Sequence, residues 1–161
     1  MKKYELTEET VTVYGKTLYR IRAVRDFGSV KTGEFGGYIE KEENLSHFDN
    51  AWVFGNARVC GDAKVYGNAR VYDDAWVSGN AEVFNTRHFF VQGPIGSRNG
   101  FITFYRTKDN TVEVRCGCFS GSLQKFVDRV EETHGGSRYE KEYKLAAELA
   151  KVCIRLEGES R

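Results

Sequence analysis

The chain lacks the sequence features of a membrane-spanning or secreted protein. No apolar run in the 161 residues is long enough to cross a bilayer. The first ten residues, MKKYELTEET, lack the apolar stretch of a signal peptide. We therefore expect a cytoplasmic protein with no membrane partner.

The sequence also lacks an excess of charge of either sign. It has 24 lysines and arginines against 23 acidic residues, a formal net charge of +1. Proteins that bind duplex DNA normally present a basic face, so this balance argues against duplex DNA as a partner. The length fits one compact unit, or a small core with two attached caps.

Cysteine is scarce, and its spacing does not form a metal-binding pattern. Cys60, Cys116, Cys118 and Cys153 occur without a secretory signal, which favours reduced thiols. Cys116 and Cys118 form a C-x-C pair, but no second close pair of cysteines or histidines completes a zinc template. We expect free cysteines, no metal site and no cofactor.

The dominant feature is a six-residue word repeated six times between residues 50 and 85. The copies read NAWVFG, NARVCG, DAKVYG, NARVYD, DAWVSG and NAEVFN. A period of six indicates one short strand and one corner per copy. Because side chains alternate along a strand, Ala at position two and Val at position four point to the same side and form a narrow core. Gly, Asn and Asp at the word junctions tolerate a sharp corner.

These words resemble the hexapeptide-repeat superfamily, whose members form a left-handed parallel β-helix with three words in each coil of eighteen residues. The resemblance implies a mainly β fold with C-terminal helices, centred on a short left-handed parallel β-helix. We expect an N-terminal β cap in residues 1–43, the β-helix in 44–85 and a C-terminal α+β cap in 86–161. Repeat stacks need such caps at both ends.

Alternation and turn signals predict the elements of the caps. The expected strands are 9–14, 16–25, 88–92, 101–106 and 111–116. Ser122 is a plausible N-cap for a helix that ends at Thr133, and a second helix is expected over 138–155.

Stacking at an eighteen-residue offset predicts ladders of outward aromatic side chains. The expected neighbours are Phe54 with Tyr72, Trp52 with Arg70, and Phe48, Tyr66 and Phe84 in one column. Arg58 would lie against Trp76 as a cation–π pair. So many outward aromatic residues predict a covered surface, which another subunit, the caps or a planar ligand could provide. Because each word buries little apolar area, we also expect a homo-oligomer, a dimer or a trimer.

The loop from Gly93 to Gly100 is the best candidate for binding a small anion. Glycine lets backbone N–H groups approach an anion, and a guanidinium holds a phosphate through two hydrogen bonds. The predicted ligand-binding residues are Gly93, Gly96, Ser97, Arg98, Tyr105, Trp76 and Arg58. The alternative is a tight turn with no ligand, since the loop lacks the G-K-[ST] of a phosphate-binding loop.

The order GGYIEKEENLS, repeat words and GPIGSR resembles short β-helix proteins of bacteria and their phages. That resemblance implies a non-catalytic oligomer that sequesters a small anionic, nucleotide-derived ligand. In a phage it would act in the host cytoplasm as an anti-defence sponge for an immune signal.

Two other functions remain open from the sequence. One is a structural module that presents a rigid surface to a protein partner. The other is an acyltransferase, because many members of the hexapeptide superfamily use a histidine as general base. The candidates would be His47, His88 and His134, but none has an acidic neighbour in sequence to orient it. Because G-x-S-x-G and H-E-x-x-H are missing as well, we predict no catalytic residue.

Overall fold

A computed structural model describes residues 1–158, which form thirteen strands, two α-helices and two single-turn 3-10 helices, Glu42–Asn44 and Thr86–His88. The strands are β1 (Tyr4–Val13), β2 (Lys16–Ala23), β3 (Phe35–Ile39), β4 (Trp52–Val53), β5 (Arg58–Val59), β6 (Lys64–Val65), β7 (Arg70–Val71), β8 (Trp76–Val77), β9 (Glu82–Val83), β10 (Phe89–Ile95), β11 (Gly100–Arg106), β12 (Val112–Cys116) and β13 (Phe119–Ser122). The helices are α1 (Leu123–His134) and α2 (Arg138–Cys153). Neither helix is long and apolar enough to span a membrane.

The largest sheet combines the N-terminal strands with two strands of the repeat, in the order β1-β2-β3-β5-β8. The first three strands are antiparallel neighbours, and β3 then pairs in parallel with β5 and β5 with β8. Tyr38 thus lies beside Arg58, and Arg58 lies beside Trp76. The three N-terminal strands therefore form one continuous sheet with the repeat strands β5 and β8.

The remaining repeat strands form two separate pairs, β4 with β7 and β6 with β9. Each pair is parallel and two residues long, with Trp52 opposite Arg70 and Lys64 opposite Glu82. Partners are eighteen residues apart, the offset that the resemblance to hexapeptide-repeat proteins implies.

The predicted fold class, a mainly β chain built around a left-handed parallel β-helix, is nevertheless wrong. The chain forms several small sheets, and the two larger ones are mixed or antiparallel. Each word contributes only two paired residues, and the longer strands lie outside the repeat. The larger sheets are therefore set by the antiparallel pairing of these longer strands. Residues 1–158 are thus an assembly of small sheets with two C-terminal helices.

The burial of the repeat alanines and valines is confirmed. All twelve are at most 1% exposed, and they share one core with residues of the N-terminal strands. Tyr4, Phe27 and Trp52 close this core on the N-terminal side, where Trp52 packs edge-on against both rings. The Trp52 ring is therefore covered by the chain's own N-terminal unit.

The C-terminal sheet, in the order β10-β11-β12-β13, is antiparallel and is packed on both faces. Strand alternation directs Phe89 and Tyr105 toward the repeat core. Ile102, Phe104 and Val114 pack instead with residues of α1 and α2. This sheet is consequently the middle layer of three, between the repeat and the helices.

Most of the predicted elements in the caps are present with shifted ends. Strand β1 begins at Tyr4 rather than at residue 9, and β3 and β13 were not predicted. The Ser122 Oγ accepts a hydrogen bond from the Lys125 N–H at 3.2 Å, as an N-cap does. Helices α1 and α2 lie within one or two residues of their expected bounds.

Candidate functional site

A cavity of about 660 Å³ lies at one end of the C-terminal sheet. The turns between β10 and β11 and between β12 and β13 meet at this end. One wall comes from the repeat and the opposite wall from α1 and α2. Its volume is in the range of small-molecule sites, which commonly enclose 300–1,000 Å³.

Four outward side chains of the repeat form the first wall. Asn56 and Arg58 come from one word, and Asp74 and Trp76 come from the word eighteen residues later. Residues two apart on a strand point to the same side, and Arg58 and Trp76 are direct partners in the sheet. The repeat therefore supplies a cation, an aromatic ring, an amide and a carboxylate as a compact array.

Two neighbours hold the Trp76 ring, and a third binds its backbone. Its indole N–H donates to the Cys60 Sγ at 3.3 Å, and its backbone N–H donates to the Thr103 Oγ1 at 2.9 Å. The Tyr14 ring, from the turn between β1 and β2, stacks nearly parallel on it with centroids 5.4 Å apart. These contacts fix the plane of the indole at the cavity wall.

The cation over Trp76 is Arg115, not Arg58. The Arg115 guanidinium lies 3.8 Å from the centre of the Trp76 ring, and no comparable contact joins Arg58 to that ring within residues 1–158. Strand pairing explains the difference, because Arg115 is the partner of Thr103, whose side chain contacts Trp76. Sequence reasoning missed Arg115 because only the pairing of β11 with β12 brings it to the repeat.

Two more arginines and a group of aromatic rings line the cavity outside the repeat. Ser97 and Arg98 line it from the turn after β10, and Arg129 lines it from α1. The Arg129 guanidinium lies 5.7 Å from the Phe119 ring centre. Further lining comes from Phe126 of α1 and Tyr143 of α2, whose rings pack edge to face.

The electrostatics of the cavity are strongly positive. Arg58, Arg98, Arg115 and Arg129 face a single carboxylate, Asp74, which leaves a formal excess of three positive charges with His134 neutral. The whole chain carries only +1, so the rest of it is net negative. We call this space the arginine cavity.

None of the four cavity arginines forms an ion pair within residues 1–158. The arginines that do are Arg20, Arg22 and Arg106. The Nε atoms of Arg58 and Arg115 are buried and have no hydrogen-bond partner in the described part of the chain. Buried polar groups normally have partners, since an unmade hydrogen bond costs about 1–3 kcal/mol. Two guanidiniums therefore retain unused donors beside the cavity.

The structure brings together four of the seven predicted ligand-binding residues. Arg58, Trp76, Ser97 and Arg98 all line the arginine cavity. The other three, Gly93, Gly96 and Tyr105, lie outside its lining and are packed or bonded elsewhere.

Gly93 and Gly96 have local structural contacts. Gly93 lies in β10 beside the Gly100 carbonyl and the Phe101 ring, where a side chain would collide. The Gly96 N–H donates to the Glu142 Oε1 at 2.8 Å, so its donor is already used. Gly96 also borders a separate groove along α2.

Tyr105 is fully buried between the C-terminal sheet and the repeat. Its hydroxyl lies 3.4 Å from the Ser78 Oγ. Burial raises the pKa of this phenol above its ordinary value.

The predicted aromatic ladders form in part. Phe54 stacks on Tyr72 and Tyr66 stacks on Phe84, with centroids 5.5 and 5.1 Å apart. Phe48 does not join the second column and is 91% exposed. The Arg106 guanidinium instead lies 5.0 Å from the Phe84 ring centre.

The cysteines are free thiols. Cys116 and Cys118 line the arginine cavity from the turn between β12 and β13. Burial raises the pKa of the Cys116 thiol, which favours its protonated form. Within residues 1–158 no three His, Cys, Asp or Glu side chains cluster as metal ligands would.

Two of the three histidines have structural hydrogen bonds away from the cavity. The His47 Nδ1 accepts from the Lys3 N–H, and its Nε2 lies 2.8 Å from the Glu42 Oε1. The His88 Nδ1 accepts from the Phe84 N–H at 3.2 Å. Only His134 lines the arginine cavity, where its ring lies near Tyr143.

No protein-family model matches this chain, and no curated protein is significantly similar to it.

Proposed function

We propose that this chain binds a small, anionic, nucleotide-derived molecule in the arginine cavity and holds it without turnover. The observation that carries the proposal is a cavity of about 660 Å³ lined by four guanidiniums that form no ion pair within residues 1–158. Two of these arginines, Arg58 and Arg115, are half-buried. Arginine is seldom left partly buried without a counter-ion. A bound anion would supply that counter-ion.

The aromatic lining supports a ligand with a planar ring. Cys60 and Tyr14 orient the Trp76 ring, and Arg115 lies over it. Phe101, which is 40% exposed, adds a second aromatic ring to the lining. Stacking of a base on an aromatic side chain contributes about 1–3 kcal/mol. Guanidiniums and an indole on one wall suit a molecule in which a base and a phosphate are joined.

Asp74 and Asn56 lie on the same wall as Trp76 and are exposed at the cavity mouth. A carboxylate accepts hydrogen bonds only, and an amide both donates and accepts. In the proposed complex these two side chains bind the sugar hydroxyls or the amino edge of the base. Their polarity supports a nucleotide over a simple inorganic anion.

Sequestration is the role that such binding would serve. The resemblance of the repeat words and the GPIGSR segment to short phage proteins motivates a sponge that withdraws a host immune signal. Under this proposal the protein acts by binding in stoichiometric amounts, so its effect would scale with its concentration.

Ligand retention and calorimetry test the proposal. Native protein would be purified, heated and filtered, and the filtrate examined by mass spectrometry for a released nucleotide. Purified protein freed of ligand would then be titrated with ADP. We expect Arg98→Ala and Trp76→Leu each to weaken ADP binding at least tenfold, while Arg87→Ala, at an exposed arginine outside the cavity, leaves it unchanged.

Thermal melts of each variant would verify that it remains folded. If no nucleotide is released, and AMP, ADP and adenosine 3′,5′-bisphosphate neither produce heat nor raise the melting temperature, the proposed function is wrong.

A protein-interaction module is the second candidate, and one observation favours it. Leu145, Leu149 and Val152 project from α2 into solvent and form an apolar stripe. Such stripes mark interaction surfaces. Failure of every nucleotide to bind, together with loss of a protein partner on charging this stripe, would favour this function.

A further inference from the structure

The turn between β1 and β2 contains a strained tyrosine. Val13 pairs with Lys16, so the turn consists of Tyr14 and Gly15, and both have a positive φ, +47° and +79°. Two-residue hairpin turns with this backbone favour Asn-Gly, because a left-handed conformation is costly for a residue with a bulky side chain. Such strain persists where the surrounding structure requires it, so the contacts of the Tyr14 ring indicate its role.

The Tyr14 ring contacts two residues of the arginine cavity from outside its lining. It is stacked on Trp76 at an interplanar angle of 7°, with centroids 5.4 Å apart, and its centre lies 5.6 Å from the Arg115 guanidinium. The same guanidinium lies 3.8 Å from the Trp76 ring centre. Strands β1 and β2 are at one end of their sheet and β8 is at the other. Tyr14 therefore connects the N-terminal hairpin to the cavity wall.

Tyr14 and Arg115 lie on the same face of the indole. Groups in contact are separated by about 3.5 Å, so groups on opposite faces of one ring would be about 7 Å or more apart. The distance between the Tyr14 ring centre and the Arg115 guanidinium is shorter, 5.6 Å. The Tyr14 ring thus lies beside the guanidinium and blocks its movement off the indole on that side.

The two rings hold Arg115 without using its hydrogen-bond donors. A cation–π contact places a guanidinium over an aromatic ring and needs no acceptor oxygen. The Arg115 Nε has no hydrogen-bond partner in the described part of the chain, and the side chain is half-buried. The guanidinium is therefore held in one place while its N–H groups remain unpaired, as a preformed anion site requires.

We infer that Tyr14 is a positioning residue of the arginine cavity, which holds the Arg115 guanidinium over Trp76 in the place where it binds an anion. The inference rests on the proposed function for its ligand. An arginine side chain is long and flexible, so holding it before binding removes part of the ordering cost of the complex. Tyr14 thereby contributes to affinity through Arg115.

Two substitutions at position 14 separate the ring from the turn. Tyr14→Asn removes the ring and gives the turn its favoured Asn-Gly sequence, so the hairpin should remain folded. Lys16, next to the turn, keeps its ion pair with Glu40, at 3.6 Å. Tyr14→Phe retains the ring. Phe48→Asn removes a 91% exposed ring outside the cavity and is the matched control.

NMR relaxation of the arginine Nε–H groups tests the positioning without a ligand. The Arg115 signal is identified by its loss in Arg115→Lys. In the wild-type protein its heteronuclear NOE should be that of a rigid group, because this NOE reports motion on the picosecond-to-nanosecond timescale. Tyr14→Asn should lower it toward the value of Arg87, an exposed arginine, whereas Tyr14→Phe and Phe48→Asn should leave it high.

Calorimetry with ADP then tests whether this positioning serves binding. We expect Tyr14→Asn to weaken ADP binding about fivefold, the effect of having to immobilise one flexible side chain in the complex. The conservative variant Tyr14→Phe should restore the wild-type affinity, and Phe48→Asn should not change it.

An Arg115 Nε–H group that stays rigid in Tyr14→Asn would overturn the inference. A mobile Arg115 with unchanged ADP affinity would overturn it as well, while leaving the proposed function in place. If the wild-type protein does not bind ADP, the proposed function fails, and the NMR measurement alone decides whether Tyr14 holds Arg115.

Discussion

His88 is a buried histidine that the fold keeps in its neutral form. It is 5% exposed, and its Nδ1 accepts a hydrogen bond from the Phe84 N–H. Burial, together with the positive charge of Arg106, lowers its pKa from 6.5 to about 4. Protonation would remove the acceptor and place a charge among apolar groups.

We predict that this histidine makes the protein less stable as the pH falls from about 6.5 to about 4. In that interval the unfolded chain binds a proton at His88 that the folded chain does not. The free energy of unfolding therefore decreases as the pH falls. The contribution of neutral His88 to the free energy of unfolding, up to about 3 kcal/mol, is fully present above pH 6.5 and is lost by about pH 4. Urea unfolding at several pH values measures it.

His88→Asn is the matched variant, because the Asn side-chain oxygen can accept the same hydrogen bond without titrating. The free energy of unfolding of this variant should fall less steeply over the same interval. Lys3 does not interfere, since burial lowers its pKa to about 8, well above the interval. Parallel pH curves for the two proteins would contradict the prediction.

The turn between β10 and β11 is anchored on α2 at Gly96. Gly96 has a φ of +77°, and a side chain there would collide with the Tyr143 hydroxyl. Gly117, in the turn between β12 and β13, also has a positive φ of +57°, but a Cβ there would meet no atom within 4 Å. The two glycines share the backbone strain and differ in the clash.

We predict that Gly96→Ala destabilises the protein more than Gly117→Ala. Both substitutions place a side chain in a left-handed conformation, at about 1–2 kcal/mol. Gly96→Ala adds overpacking against Tyr143, about 1–3 kcal/mol more. Chemical denaturation of both variants measures the difference.

Tyr143→Phe separates the clash from the strain. The hydroxyl is the atom nearest to the added methyl group, so its removal should recover part of the loss in Gly96→Ala. A double-mutant cycle isolates this coupling from the effect of Tyr143→Phe alone. Additive effects of the two substitutions would show that the hydroxyl is not the obstacle.

The repeat shows what a sequence period can predict at the scale of elements. Ala at position two and Val at position four require a shared interior, which the pattern predicts. The eighteen-residue offset of their strands came instead from the resemblance to hexapeptide-repeat proteins. The fold class was not predictable, because a two-residue strand does not indicate which longer strands will pair with it in a sheet. The attachment of β3 to β5 depends on contacts between residues 38 and 58 that no local pattern encodes.

The candidate site was predictable to a similar extent. Arg58, Trp76 and Arg98 could be selected because the repeat and the glycine-rich loop stand out locally. Arg115 and Arg129 could not, since each lies in an ordinary strand or helix and reaches the cavity only through tertiary packing. Register between distant strands was the missing information.

At the scale of the whole molecule, helix α2 is packed with its small side chains inward. Ala146, Ala147 and Ala150 are buried against the sheet, whereas Leu145 and Val152 are each 70% exposed. A surface helix normally directs its large apolar residues to the core. The inverted arrangement supports the homo-oligomer expected from the sequence, with α2 as the contact surface.

The charges beside the stripe support a second copy of this chain as the partner. Lys141 and Glu148 are seven residues apart and so lie on the same side of α2. When two α2 helices pair antiparallel about a two-fold axis near Leu145, each lysine faces the glutamate of the other copy. An isologous contact of this kind is self-complementary.

We predict a dimer whose association depends on this stripe. Leu145→Glu should shift the protein to a monomer by light scattering coupled to size exclusion, because it places two like charges at the two-fold axis. Lys141→Glu should weaken the dimer, and the double variant Lys141→Glu with Glu148→Lys should restore it, since the opposite charges face each other again. Phe48→Glu, at an exposed aromatic residue outside α2, is the control and should leave the mass unchanged. A monomeric wild-type protein at micromolar concentration, or a dimer that survives Leu145→Glu, would exclude α2 as the interface.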